Sequence, residues 1–313
     1  MRPALGDLPA GRVDPEMVET LYAQLRRCRD RCDGRRQRTI EHRVEGPHDC
    51  AEKRCRRHVC RGLAAASIRK IHYTPSAAYE RGVRWCWLAV NPTKQNEPPS
   101  PTPANPEPPT AADAARILDK AWSSDPEWGL FLWKAMTTGA RRGELCGVRW
   151  RHLDLVRRIL TIERNVVHAG GGIHEKDTKT HQKRRIAIDA ATVDLLRAHL
   201  TTCAERASAL GLELPHDAFV FSLSADGSTP LVPHSVSQRY TRLLTRLKVD
   251  GKFHGLRHYS ATELIAAGVD LRTVAGRLGH GGGGATTLKV YAAWLSEGDR
   301  RRVRCPHRSR RPV

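Results

Sequence analysis

No stretch of this sequence stays apolar for anything like the ~18 residues that a membrane-spanning helix needs. The N-terminus has no apolar core of the kind that directs secretion. Membrane and secreted classes are left without support, and a cytoplasmic, nucleoid-associated location is expected. There is no internal repeat. Acidic residues are scarce beside basic ones: 33 Asp+Glu face 53 Lys+Arg, so the 313-residue chain carries a formal charge of +20. At 40% hydrophobic and 27% charged residues, the chain has the material for a folded core and is not disordered throughout. A basic surplus of this size favours a polyanionic partner, most often nucleic acid. It does not say whether that partner is only bound or also chemically changed.

Nine cysteines stand at 28, 32, 50, 55, 60, 86, 146, 203 and 305. The odd number and the lack of an export signal argue against a disulfide framework. Five of them crowd into residues 28–60, together with His42, His48 and His58. Cys28, Cys32, Cys50, Cys55, His58 and Cys60 form a candidate structural zinc set. The spacings 28/32 and 55/60 each offer a pair, and reduced thiols in a basic loop are the alternative. Cys86, Cys146 and Cys203 lie in apolar helical context and are expected in the core.

Seven prolines within residues 94–110 mark an extended, semi-rigid linker. Before it lies a small basic module, 1–93, which reads as helical. Pro15 and the spacing of Val18, Leu21 and Leu25 predict a helix over about 15–29. A second helix is expected over about 64–83, with Pro75 kinking or interrupting it. Trp85, Trp87, Leu88 and Val90 are expected to close the module. The insert between the helices, 28–61, is rich in Cys, His and Arg. Residues 25–61 hold 13 Lys/Arg against 6 Asp/Glu.

After the linker, residues 111–298 show helical periodicity over about 111–122, 126–138 and 143–150. The period then changes to that of strands at 159–162, 166–167 and 185–188, with a glycine turn at 170–172. Helices are expected again over about 190–208, 234–248, 255–267, 271–278 and 286–296. The fold class is mainly α with a small antiparallel sheet of two or three strands. A basic tail, 299–313, follows.

Four segments place basic and nucleophilic residues in a distinctive order. The first, TTGARRGELCGVRW, has Arg141 and Arg142 after Gly139, with Glu144 three residues on. The next, HGLRHYSATELIAAG, sets His254 and Arg257 at i, i+3 on one helix face. In LRTVAGRLGH, Gly279 ends a helix just before His280, and TTLKVYAAWL carries Tyr291. Singly, each has a plain structural explanation: an Arg paired with Glu144, a solvated polar face, a surface His, a core Tyr. In combination they are far more specific.

In this order the segments closely resemble the tyrosine recombinase (phage integrase) family, over about 111–297. The resemblance implies a helical core-binding domain followed by an α+β catalytic domain. It assigns Arg141, His254, Arg257 and His280 to the active site and Tyr291 as the nucleophile, with Glu144 orienting the site. The family's catalytic Lys sits in a hairpin. Here KDTKTHQKRRIAI offers Lys176, Lys179 and Lys183, and the Lys-Thr pattern selects Lys179. Arg142, Lys183 and Arg69 are expected DNA contacts. Residues 63–92 and RPALGDLPAGRV resemble parts of the core-binding domain, which by resemblance is short at its N-terminus. The gap from His280 to Tyr291 is eleven residues where relatives commonly have nine, and Gly281 to Gly284 take up the excess.

The implied activity is site-specific recombination of double-stranded DNA at attachment sites. Tyr291 would attack a phosphodiester to give a 3′-phosphotyrosyl link, with no catalytic cofactor and only a structural zinc in prospect. A homotetramer on DNA is implied by the resemblance. The alternatives are a DNA-binding remnant of an integrase and, with related chemistry, a type IB topoisomerase.

Overall fold

A computed structural model describes residues 5–32, 40–100, 107–177, 183–280, 284, 287, 290 and 291. The chain divides into two compact units, Met1–Ala104 and Asn105–Val313.

The first unit is built on two helices. Asp14 accepts the Met17 amide at 2.8 Å and Pro15 opens the first turn of α1, Pro15–Arg27. This cap satisfies one of the free amides of the first turn. The apolar spacing of α1 buries Val18, Leu21, Tyr22 and Leu25, with Ile68 of the second long helix in the same cluster. Tyr22 Oη and His72 Nδ1 lie 2.8 Å apart inside it. Between the helices, β1 (Ile40–Glu41) pairs antiparallel with β2 (Arg56–Arg57).

The second long helix, α2, runs unbroken over Ala65–Arg84 with Pro75 inside it. Of the kink or interruption expected at Pro75, the interruption does not occur. A proline removes one backbone bond and costs about 3 kcal/mol in a helix interior. Here the residues on either side are anchored: Ile68, His72, Pro75 and Gly82 are all buried. One other expectation fails just beyond α2. Cys86 is exposed, in a left-handed turn with φ 58°, and is no core residue. Trp85, Trp87 and Val90 are exposed too, the two indoles meeting edge-on at 4.7 Å.

In the second unit, α3 (Ala111–Ser124) and α4 (Pro126–Thr138) are capped by Thr110 and Asp125. A short α5 covers only Arg142–Cys146. The expected helix to residue 150 stops there because Gly147 follows and Arg149 bridges to Phe219 in extended form. The single small sheet expected proves to be two. Strands β3 (Leu153–Asp154), β4 (Ile159–Ile162) and β7 (Arg184–Ala187) form one antiparallel sheet in the order β3-β4-β7. Between them in sequence, β5 (Arg164–Ala169) and β6 (Gly172–Asp177) make a separate hairpin. Its second strand carries Ile173 as its one bulky apolar residue, so alternation could not reveal it.

The remaining helices are α6 (Ala190–Ser208), α7 (Pro233–Leu247), α8 (His254–Ala266) and α9 (Leu271–Leu278). Thr287, Val290 and Tyr291 are also helical, while the rest of the segment expected over 286–296 lies outside the described residues, as does the tail 299–313. The main core centres on Phe131, stacked on Trp128 and meeting Phe221 and Phe253. A smaller cluster joins Ala261, Val274, Leu278 and Tyr291. Among the described residues, no helix is long and apolar enough to cross a membrane.

One core position is chemically costly. Lys134 on α4 is 1% exposed, and its Nζ has no hydrogen-bond partner among the described residues. Burial, and next the Arg277 charge, push its pKa down to about 7. Because the folded pKa lies below the unfolded one, the unfolded chain binds more protons between those values. Stability therefore rises with pH above about 7, and the penalty is fully present below it. Lys134→Met should raise stability at pH 6–7 by on the order of 3–5 kcal/mol and abolish the rise on the alkaline side. Thermal melts of both proteins from pH 6 to 10 check this, and parallel curves would refute it.

Candidate active site

The site grows from a turn. Gly139 ends α4 in the left-handed region, φ 61°, and a Cβ there would lie 2.5 Å from Leu278. This turn aims the next residues at a common centre. Arg141 is the N-cap of α5, and Glu144 reaches back to accept the Arg141 amide at 2.7 Å. The Arg141 guanidinium donates to Glu144 at 2.8 Å and to the Gly279 carbonyl at 3.1 Å.

Glu144 is 1% exposed. Burial pushes its pKa up, but the hydrogen bonds and charge of Arg184, then of Arg141, pull it lower overall. Arg184 grips both carboxylate oxygens, at 3.0 and 2.6 Å, and ties its own Nε to the Arg277 carbonyl. Arg184 does not figure among the sequence-derived site residues. Its signal was available: it is the second basic residue of the run that opens β7, next to Lys183.

Arg257 on α8 is buried, 3% exposed, and donates to the Gly139 and Leu278 carbonyls at 2.6 Å each. Burial and then the Arg141 charge lower its pKa, but a guanidinium stays protonated in the usual range. Two carbonyls do not neutralise it, so it keeps a net positive field. His254 starts the same helix. Burial first, then Arg257 and Arg141, push its pKa down, which favours the neutral ring. A cleft is lined by Arg141, Arg142, Ser237, Lys252, His254 and Arg257. Arg142 is hydrogen-bonded to Ser237 at its edge.

Tyr291 does not line this cleft. It is 1% exposed, and burial pushes its pKa up to about 12. Its hydroxyl lies 2.6 Å from His258 Nδ1. His258 meets His254 edge-on at 4.7 Å, so the two histidines connect the cleft with the tyrosine. Burial, then His254 and Arg257, push the His258 pKa down to about 4. A neutral His258 shares a hydrogen bond with the tyrosine hydroxyl, and its tautomer sets which of the two donates. Sequence reading passed over it, although it stands one helical turn after His254, at i+4.

His280 follows α9. Its amide donates to the Ala275 carbonyl, and its Nδ1 meets Thr287 Oγ1 at 2.8 Å. Burial, then Arg257 and Arg141, push its pKa down to about 4. Lys179 lies outside the described residues, as do Gly281 to Gly283. Lys183 is exposed and pairs with Glu163 at 2.7 Å. Arg69 belongs to the first unit, where it bonds Tyr73 and the Pro99 carbonyl. The cysteines and histidines of the insert are also in the first unit.

The chain is similar to known proteins. The profile of the "Phage integrase family" matches residues 110–296, more than half of the chain. A "Tyrosine recombinase XerC-like" protein of Caldanaerobacter subterraneus subsp. tengcongensis is 29% identical over 47% of this chain. The "ICEBs1 integrase" of Bacillus subtilis is 27% identical over 50% of it, and the "Putative defective protein IntQ" of Escherichia coli is 24% identical over 77%. This chain covers 40%, 42% and 63% of their respective lengths, less than two thirds in each case. In fold it resembles the Tn1549 transposon integrase solved with transposon right end DNA. That match has a TM-score of 0.68 at 17% identity, covering 96% of this chain and 89% of that one. A lambda integrase dimer bound to a core site gives 0.58 at 20% identity, covering 90% and 84%. Together with the order Arg141, His254, Arg257, His280 and Tyr291, these matches establish that the chain belongs to the phage integrase family of tyrosine recombinases.

Proposed function

We propose that this protein is a site-specific DNA recombinase that cuts and rejoins strands through a 3′-phosphotyrosyl intermediate on Tyr291. The observation that carries this reading is the convergence of Arg141, Arg257 and His254 on one cleft, with Tyr291 reached from it through His258.

Cleaving a phosphodiester without a metal needs a nucleophile, positive charge at the phosphoryl oxygens and a proton donor for the leaving oxygen. Arg141 and Arg257 supply two planar forks fixed by backbone carbonyls and Glu144, so little reorganisation is needed when charge develops. Tyr291 attacks the phosphorus. The bond from phosphorus to the 5′-oxygen breaks, and the leaving oxygen takes a proton, with Lys179 as its donor. His254 and His280 hydrogen-bond the phosphate. A phenol with a pKa near 12 must lose its proton on the way to attack, and His258, 2.6 Å from the hydroxyl while Tyr291 is buried, is the group beside it to take the proton before the tyrosine moves to the cleft. The phosphotyrosyl bond conserves the energy of the broken one, so another 5′-hydroxyl can reverse the step without a catalytic cofactor. The substrate is double-stranded DNA, which suits the +20 charge.

A second reading, DNA binding without strand exchange, is favoured by one observation. Tyr291 is buried, and its hydroxyl is already engaged by His258. Cleavage then requires the segment bearing Tyr291 to move toward the cleft.

On a nicked suicide substrate the native chain should form a covalent protein–DNA adduct. Tyr291→Phe should bind the same DNA and form none; an adduct with that variant would remove Tyr291 as nucleophile. Complete absence of adduct from the native chain, with binding intact, would favour the second reading. Arg141→Ala should slow adduct formation about a hundredfold or more, the typical cost of losing one pre-positioned donor. Single-turnover rates at saturating DNA measure this. An unchanged rate would shift the role to Arg142.

A further inference from the structure

We propose that the insert between α1 and α2 is a two-zinc module, with one ion held by Cys28, Cys32, His58 and Cys60 and a second by His42, His48, Cys50 and Cys55. The sequence offers these residues as one pool. The fold sorts them into two tetrads, in each of which the ligand atoms lie within 4.8 Å of one another. The second set is nested inside the first along the chain.

The ligand-atom distances, 3.0–3.9 Å, lie around those of tetrahedral coordination. Bond lengths of 2.0–2.3 Å to nitrogen and sulfur put the ligand atoms of one tetrahedron about 3.3–3.8 Å apart. In the first tetrad, Cys28 Sγ is 3.4 Å from His58 Nε2, and Cys32 Sγ is 3.1 Å from Cys60 Sγ. In the second, His48 Nε2 is 3.3 Å from Cys55 Sγ and 3.9 Å from Cys50 Sγ, and His42 Nδ1 is 3.4 Å from Cys50 Sγ. The two ring nitrogens, His42 Nδ1 and His48 Nε2, are 3.0 Å apart.

The outer contacts fit as well. A zinc-bound histidine commonly donates its other ring N–H to a carboxylate or carbonyl, which fixes its tautomer. His58 turns Nε2 to the thiols and Nδ1 to Glu41, with Asp30 3.9 Å away. His48 turns Nε2 to the thiols and Nδ1 to the Gly46 carbonyl at 2.7 Å. The grouping of Asp30, Glu41 and His58 is thus the outer layer of the first tetrad and no third site.

The backbone is bent to the same end. Arg31 and Arg54, the residues just before Cys32 and Cys55, both adopt φ above +50°. The turns they complete are closed by Arg31 N to Cys28 O at 3.0 Å and Cys55 N to Cys50 O at 2.9 Å. Each turn returns its second cysteine to its first. Gly62 then lets the chain pass so close to α1 that a Cβ would meet the Arg26 carbonyl at 1.9 Å. Leu63 N to Leu25 O and Arg29 N to Arg61 O, both 2.8 Å, hold Cys60 beside the end of that helix. On binding, each cysteine thiol gives up its proton to solvent and each histidine coordinates in its neutral form. The insert's arginine surplus offsets the thiolate charge.

The test is metal content of the full native chain, expressed with zinc and purified under reducing conditions. Two zinc ions per chain are expected by mass spectrometry of the metal; one or none overturns the proposal. Cys60→Ser and Cys55→Ser should each lose one ion, and Cys86→Ser, outside both sets, should keep two. Retention of two ions by either of the first pair refutes the ligand assignment. Cobalt-substituted native protein should show tetrahedral d–d bands with thiolate charge transfer. An octahedral spectrum overturns the proposal even if the serine variants fail to fold.

Discussion

The second unit turns on one buried carboxylate. Glu144 receives the Arg141 amide, the Arg141 guanidinium and both nitrogens of the Arg184 fork. A buried charge is tolerated only when paired and fully hydrogen-bonded, and removing one partner of such a set typically costs about 3–5 kcal/mol. Glu144 therefore locks the start of α5 to the start of β7. Through Arg184 and the Arg277 carbonyl it also reaches α9. The Arg141 guanidinium is left with one edge in the cleft, held by the carboxylate and by Gly279. The arrangement is a positioning device made of charge, and it keeps a net positive field where a phosphate would bind.

Arg257 extends the same logic. Its two backbone acceptors, Gly139 and Leu278, are the C-terminal ends of α4 and α9. Carbonyls at helix ends lack intrahelical partners and carry partial negative charge. One guanidinium thus satisfies two helix ends and is aimed by both. Burial is the first reason why His254, His258 and His280 all have lowered pKa values; neighbouring positive charge adds to it, from Arg257 and Arg141 at His254 and His280, and from His254 and then Arg257 at His258. A neutral ring carries one donor and one acceptor nitrogen.

Much of this was legible in advance. The helices over 126–138, 190–208 and 271–278 follow from their apolar periodicity; the structure adds that Asp125, Asp189 and Asp270 cap them with their side chains. The order of Arg141, His254, Arg257, His280 and Tyr291 suggested a family before any fold was known. Pro75 misled because local propensity was outweighed by buried neighbours on both sides. Arg184 and His258 were missed because a basic residue at a strand start and a histidine on a helix have many ordinary explanations; only their partners distinguish them.

The sequence by itself determined the residue types, the helical periods and the linear order of the basic segments, since these depend on local spacing and side-chain chemistry. It also showed that cysteine and histidine are concentrated between the two helices of the first unit. Which atoms meet was decided only by the tertiary structure. Glu144 pairs with Arg184 across 40 residues, Arg257 bonds Gly139 across 118, and Cys28 meets His58 across 30. Contacts at such separations depend on how whole elements pack, and no local period in a chain encodes them.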